Sequence, residues 1–276
     1  MRTRAEHACF GGMQRFHEHD AATIGLPMRF AAYVPPTPSG AALVCLAGLT
    51  CTEETFAIKA GAQRMASALG LTLLMPDTSP RATGIEDEDA EWDVGTGAGF
   101  YLDATQAPWS DHFRMESWIL DEWLPMMTAA LGLDAARIGI TGHSMGGHGA
   151  LTLALRHPGR FRSLSALAPI AAASTCPWGE KAFSTYLGDD RAAWAAHDAS
   201  ELMRRAHTPY PGGVLVDQGE ADSFLAVQLR PERLEAACAD AAQPLTLRRH
   251  AGYDHGYFFI QSVIDDHLRW HAERLG

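Results

Sequence analysis

Paired cysteines, long apolar runs and an excess of basic residues are all missing from this sequence. Its five cysteines are an odd, scattered set, which predicts reduced thiols in a cytoplasmic protein rather than a disulfide framework. The longest apolar run, residues 41–49, is too short to span a bilayer. Residues 1–20 contain no apolar stretch of the kind found in a signal peptide, so none is predicted. A net charge of −11 argues against nucleic acid and anionic membranes as partners.

What is present favours an α/β fold. The 276 residues are 47% hydrophobic and show no internal repeat, so we expect a single domain over residues 1–276. Short, continuous apolar runs of the kind found in strands covered on both faces alternate with helical patterns, which predicts a mostly parallel central sheet with helices on both faces. The predicted strands are 28–34 (in an antiparallel entry), 41–47, 71–75, 163–168, 214–217 and 245–249, and the predicted helices are 56–69, 114–131, 230–242 and 257–275.

Two long sections, residues 81–107 and 169–188, are expected to be irregular. The glycines of the first could suggest a phosphate cradle, but no Lys-Ser/Thr follows them, so we interpret the section as a structured loop beside a site. His17 and His19 could form a metal pair, although a solvated edge strand is the favoured interpretation.

The stretch around Ser144 carries the strongest chemical signal. It reads Gly-His-Ser-Met-Gly-Gly-His-Gly from Gly142 to Gly149, between an apolar run and a helix-forming run. This is the strand–turn–helix context of the nucleophile elbow in the α/β-hydrolase fold. Side chains flanking so sharp a turn would collide, so Gly142 and Gly146 are the residues it tolerates. Ser144 is therefore the predicted nucleophile.

A serine hydroxyl needs a base, and in this fold the acid and then the histidine follow the serine along the chain. Asp222 follows the strand 214–217, and His255 follows the last strand, so we predict the triad Ser144, Asp222 and His255. Asp217 at a strand end is a rival acid, and His250 is the nearest rival base.

Other histidines receive structural interpretations. His143 is expected to pack under the elbow, and His267 and His271, four residues apart on the last helix, are expected to lie on a solvated face.

The mechanism that follows requires no metal and no organic cofactor. His255 takes the Ser144 proton, Asp222 orients the imidazole, and the Leu49 and Met145 N–H groups are expected to bind the oxyanion. Losing one such donor typically costs about 2.7–4 kcal/mol.

Residue patterns that are not generic to hydrolases occur in several segments, which include residues 48–53, 76–81, 92–105, 142–149, 176–179 and 252–255. These segments resemble one family, the S-formylglutathione hydrolases (esterase D). The resemblance implies a cytoplasmic thioesterase that releases formate and glutathione from S-formylglutathione, the last step of glutathione-dependent formaldehyde detoxification, and it suggests a homodimer. A broad short-chain carboxylesterase is the alternative.

The resemblance also assigns further residues. It places the family's thiol near the nucleophile at Cys51, which suggests sensitivity to thiol reagents. Because formyl is the smallest acyl group, bulky walls would exclude larger acyls, and Trp178 and Phe100 are the candidates. Lys59 or Lys181 could attract the anionic glutathione. The chain departs from the family at Gly256, where serine is usual, and in the acidic tract 86–89.

Overall fold

Nine β-strands form one sheet in the computed structural model, which describes residues 1–276. In chain order they are β1 (Arg2–Cys9), β2 (Gly12–Ala21), β3 (Leu26–Val34), β4 (Ala42–Leu46), β5 (Thr72–Pro76), β6 (Ile138–Gly142), β7 (Ser163–Leu167), β8 (Val214–Gly219) and β9 (Leu245–His250). Their spatial order is β1-β2-β3-β5-β4-β6-β7-β8-β9. The pairings β1–β2, β2–β3 and β3–β5 are antiparallel and the other five are parallel, so the predicted antiparallel entry and mostly parallel sheet are confirmed.

Ten α-helices connect or cover these strands. They are α1 (Glu53–Lys59), α2 (Gln63–Leu69), α3 (Met115–Ser117), α4 (Leu124–Leu131), α5 (Met145–Arg156), α6 (Pro177–Leu187), α7 (Arg191–Trp194), α8 (Ala199–Arg205), α9 (Pro231–Asp240) and α10 (Tyr257–Leu275). Turns of 3₁₀ type occupy Trp109–Asp111, Ala173–Thr175 and Ala195–His197, and π-helical segments occupy Trp118–Trp123 and Leu225–Leu229. None of the helices combines the length and apolar character needed to cross a membrane.

The central strands are wholly buried because helices pack on both sheet faces. Helix α10 packs on β6, β7 and β8 together with α2, whereas α5 packs on β4, β6 and β7 together with α8. Every residue of β4, β5, β6, β7 and β8 is buried, which explains their continuous apolar runs. The buried apolar side chains form one contiguous cluster around this sheet.

Three boundaries differ from the sequence-based expectation. The helix predicted over 56–69 is two helices, because Gly61 adopts a positive φ of 71° between them. Residues 169–188 are not irregular throughout, since Pro177 opens α6 at a position where its missing N–H costs no hydrogen bond. The helix predicted over 114–131 contains Pro125, which is expected to interrupt it, but α3, a π-helical segment and α4 follow one another without a break.

The solvated edge strand predicted for His17 and His19 is wrong. Strand β2 pairs with β1 on one side and β3 on the other, and both imidazoles are buried. His17 stacks on Phe30 with ring centroids 5.2 Å apart, and His19 accepts a hydrogen bond from Trp118 Nε1 at 3.0 Å. The two histidines therefore stabilise the packing of the antiparallel part of the sheet.

Candidate active site

Ser144 lies between the carboxyl end of β6 and the first turn of α5. Its φ of 59° and ψ of −119° lie in a region that non-glycine residues rarely occupy. The strained turn is fixed by a hydrogen bond from Ser144 N to Leu167 O at 2.9 Å and by one from Gly146 N to His143 O at 2.7 Å. The structure therefore has the sharp strand-to-helix turn that the sequence motif predicts.

The glycines around the turn are required by close approach of neighbouring backbone. A Cβ on Gly142 would lie 2.1 Å from the Gly146 carbonyl oxygen, and one on Gly146 would lie 2.2 Å from Leu46 O. A Cβ on Gly149 would lie 2.4 Å from the Tyr101 ring, so this glycine lets α5 approach the loop that precedes α3. Substituting any of these glycines would push the turn away from its neighbours.

Asp222 and His255 meet at the same edge of the sheet. Asp222 follows β8 and His255 follows β9, and the carboxyl ends of these parallel strands lie side by side. Asp222 Oδ2 lies 2.6 Å from His255 Nδ1, and Oδ1 accepts a hydrogen bond from Phe224 N at 2.8 Å. With Nδ1–H donating to the carboxylate, the neutral imidazole presents Nε2 as a base.

His143 precedes Ser144 in the chain and lies next to the His255 ring. Its ring lies 4.6 Å from that of His255, and Gly48 packs against both His143 and Ser144. Burial and the adjacent His255 hold the pKa of His143 well below its ordinary value, so this imidazole is neutral and packs beneath the elbow as expected. The Ser144 hydroxyl forms no hydrogen bond to His255 here, a contact that commonly tightens only when substrate is bound.

Two backbone donors beside Ser144 are unengaged. The N–H groups of Leu49 and Met145 donate to no other group of the chain. Leu49 follows β4, the strand next to β6, and a Cβ built on Gly48 would be 3.1 Å from Ser144 Cβ. Both N–H groups are free to bind an anion beside Ser144; the Met145 N–H is free because a helix leaves its first N–H groups without acceptors inside the helix.

The rival acid Asp217 belongs to a different network. Its carboxylate accepts hydrogen bonds from Arg248 Nε at 2.6 Å, from His250 Nε2 at 3.1 Å and from His267 Nε2 at 3.0 Å. These bonds lower the pKa of Asp217 well below its ordinary value, despite its burial. Asp217 is therefore held by three side chains, none of which is His255.

The solvated face predicted for His267 and His271 is wrong. Both side chains are wholly buried between α10 and the sheet. His267 Nδ1 lies 2.8 Å from Ser165 Oγ, and His271 bonds Ser165 at 2.8 Å and Ser163 at 2.6 Å. The four-residue spacing on α10 matches the two-residue spacing on β7, because four helical residues and two strand residues both span about 6 Å.

Aromatic side chains form one wall beside His255. Phe224 packs edge-on against the His255 ring at 5.1 Å, Trp178 packs on Phe224 at 4.8 Å, and Trp92 packs on Trp178 at 5.5 Å. Phe224 and Trp92 were not predicted from the sequence, although Phe224 stands two residues after Asp222 in the same loop. Phe100 requires a correction: its ring is wholly buried against His148 and Phe183 and has no surface that could contact a substrate.

Three further side chains were expected near the substrate. Cys51 is partly buried close to Leu49, and burial raises the pKa of its thiol, so the thiol is protonated at neutral pH. Lys181 forms ion pairs with Glu91 and, at 2.6 Å, with Asp93, so its charge is already neutralised. Lys59 is exposed at the end of α1 and forms no ion pair.

Comparison with known proteins identifies the family of this chain. The chain matches a family model described as putative esterase over residues 21–270. It is 50% identical over 277 residues to the S-formylglutathione hydrolase of Paracoccus denitrificans (strain Pd 1222), covering 99% of this chain and 98% of that one. It is 46% identical over 275 residues to the S-formylglutathione hydrolase of Rattus norvegicus, covering 98% and 97%.

The fold is similar to a solved S-formylglutathione hydrolase from Agrobacterium tumefaciens. The TM-score is 0.96 at 48% identity, with 100% of both chains covered. A ferulic acid esterase with 17% identity and a TM-score of 0.75 shares the fold. The chain therefore belongs to the S-formylglutathione hydrolase family of α/β-hydrolase esterases.

Proposed function

We propose that this protein hydrolyses S-formylglutathione to formate and glutathione through an acyl-enzyme on Ser144. The observation that carries the proposal is the 46–50% identity, over nearly the whole chain, to S-formylglutathione hydrolases from two organisms. The strained Ser144, the 2.6 Å Asp222–His255 contact and the two unengaged N–H groups support serine chemistry at this site.

Each residue has a defined part in the proposed reaction. His255 Nε2 removes the Ser144 proton as Oγ attacks the formyl carbon, and Asp222 stabilises the resulting imidazolium. The Leu49 and Met145 N–H groups bind the oxyanion. When the C–S bond breaks, the imidazolium gives its proton to the glutathione sulfur. Water then attacks the formyl-enzyme with the same base, which releases formate and restores Ser144.

Acyl size is the property that separates this activity from that of a broad short-chain carboxylesterase. Trp178 packs on Phe224 and Phe224 on His255, and in the proposed arrangement this wall limits the size of the acyl group. One additional methylene-sized group is worth about 10–200-fold in specificity when a pocket excludes it. We therefore expect kcat/KM for S-formylglutathione to exceed that for S-acetylglutathione by this range.

The test compares S-formylglutathione, S-acetylglutathione and a short aryl ester on the purified protein, with Trp178→Ala beside the unmodified chain. Preference for the formyl thioester, reduced in Trp178→Ala, is the expected result. Comparable efficiencies for all three substrates would favour the broad carboxylesterase. Failure of an organophosphate to label Ser144 would contradict serine hydrolysis altogether.

The biological setting is part of the same proposal. Release of formate from S-formylglutathione would complete the glutathione-dependent removal of formaldehyde in the cytoplasm. Five unpaired cysteines agree with a reducing compartment. A homodimer is the proposed assembly, and light scattering on the purified protein measures its mass directly.

A further inference from the structure

The segment that carries Leu49 is held in place by another part of the chain. Residues 47–51, here the oxyanion segment, connect β4 to α1 and form no regular secondary structure. Three of its backbone groups bond to residues between Asp77 and Tyr101, which belong to the long section after β5. The section after β5 therefore holds the backbone of the oxyanion segment in place.

Arg81 is the centre of the contact at the C-terminal end of the segment. Its guanidinium forms a two-point ion pair with Asp77, Nε to Oδ2 and Nη2 to Oδ1, both at 2.8 Å. The same Nη2 donates to the Cys51 carbonyl oxygen at 2.9 Å, and Thr78 Oγ1 donates to that oxygen at 2.6 Å. Asp77 and Thr78 are buried, so the carbonyl is held by groups that cannot reorient freely.

The rest of the segment is held equally closely. The buried Tyr101 hydroxyl donates to the Ala47 carbonyl oxygen at 2.8 Å. Thr50 N donates to Gly97 O at 2.9 Å, and Thr50 has a positive φ of 65°, a strained conformation for a β-branched residue. Outside contacts at both ends and in the middle are what maintain this shape.

The consequence concerns Leu49, whose N–H lies two residues before the Cys51 carbonyl. An oxyanion donor accelerates a reaction only if it already points at the position where charge develops, because reorientation during the reaction would cost the gain. We propose that Arg81, with Thr78, is a positioning residue that fixes the orientation of the Leu49 N–H. This proposal rests on the oxyanion role assigned to Leu49 in the proposed function.

A different role for Arg81 makes different kinetic predictions. The guanidinium is partly exposed, and a cation in this position could instead bind a carboxylate of glutathione. A contact with the glutathione portion would act on KM of the thioester and leave a neutral aryl ester unaffected. A positioning role acts on kcat of both substrates, because both form the same oxyanion.

Arg81→Ala, assayed on S-formylglutathione and a neutral aryl ester, tests the proposal. We expect kcat to fall about 10–100-fold on both substrates, with KM nearly unchanged. A decrease of this size is what a displacement of the N–H donor by about 1 Å would cause. Added methylguanidine should restore part of the kcat. An increase confined to KM of the thioester, or an unchanged kcat in the folded variant, would overturn the proposal.

A matched pair at Thr78 keeps the test decisive if Arg81→Ala does not fold. Thr78→Val removes the hydroxyl that donates to Cys51 O and preserves the shape, whereas Thr78→Ser keeps the hydroxyl. We expect a lower kcat in the valine variant and recovery in the serine variant, and equal kcat values would contradict the proposal. If the unmodified protein cleaves the aryl ester but not S-formylglutathione, the substrate assignment fails while the positioning test remains valid.

Discussion

The molecule contains two aspartate–histidine pairs whose carboxylates are both buried, one at β8 and one in the loops that follow β8 and β9. Asp222 bonds His255 Nδ1 at 2.6 Å in the loops beyond β8 and β9. Asp217, five residues earlier, bonds His267 Nε2 at 3.0 Å between β8 and α10. The residue types are the same, and the difference lies in what surrounds each pair.

The difference is in the second nitrogen of each histidine. His267 uses its other nitrogen to bond Ser165, and its side chain is wholly buried. His255 leaves Nε2 without a partner in the chain and is partly exposed beside His143 and Ser144. A pair with every site engaged stabilises the fold, whereas a pair with one free lone pair can accept a proton.

The largest difference in activity is expected between variants of the serine in each region. Ser144→Ala should lower kcat for thioester hydrolysis about 10⁶-fold with little change in stability, because it removes only the nucleophile. The matched control Ser165→Ala removes a hydroxyl from the Asp217 network and should lower the melting temperature while activity survives. Steady-state kinetics and thermal melting measure both, and residual activity in Ser144→Ala would refute the nucleophile.

The two aspartates provide the second comparison. Asp222→Asn should lower kcat about 10⁴-fold, because the amide cannot stabilise the imidazolium, and the melting temperature should change little. Asp217→Asn removes the buried charge that Arg248, His250 and His267 share, so we expect a loss of about 3 kcal/mol in the free energy of unfolding with most of the activity kept. The opposite ranking in kcat would reassign the acid.

A smaller effect is expected at Cys51, which is the last residue of the oxyanion segment and belongs to neither pair. Cys51→Ser should keep most of the activity and abolish inhibition by iodoacetamide. Because burial raises the pKa of this thiol, alkylation of the unmodified protein should accelerate as the pH rises. An inactive serine variant would make the thiol a participant in catalysis.

Another buried carboxylate, Glu53, has no imidazole partner and should show the smallest effect. Burial and the nearby Asp77 and Glu54 raise its pKa to about 7, opposed by Arg29, and the Arg4 guanidinium is 3.7 Å away. A carboxyl with a raised pKa favours the folded state at low pH, and this stability is lost as the pH rises through about 7.

Glu53→Gln is neutral at every pH and isolates this contribution. Its melting temperature relative to the unmodified protein should therefore be higher at pH 8 than at pH 5, by the equivalent of about 2 kcal/mol. Thermal melting across this range is the measurement. A difference that does not change with pH would mean that Glu53 remains ionised throughout.

The part of the site that was predictable lies in short, local patterns. The elbow glycines surround Ser144 in sequence, and Asp222 and His255 occupy loops that directly follow strands, so their order along the chain points to one edge of the sheet. Phe100 shows the limit of local patterns: an aromatic residue in a loop can face a substrate or the core, and here its ring is wholly buried against His148 and Phe183.

The sequence by itself determined the strand–turn–helix around Ser144, the parallel sheet and the likeness to one family, because each depends on residues close together in the chain. Only the tertiary structure decided that His267 and His271 are buried, that the Asp217 carboxylate bonds Arg248 and two histidines, and that Arg81 donates to the Cys51 carbonyl. These contacts join residues 30 to more than 100 positions apart, and the partner of a buried polar group is chosen by packing between elements, which no local pattern records.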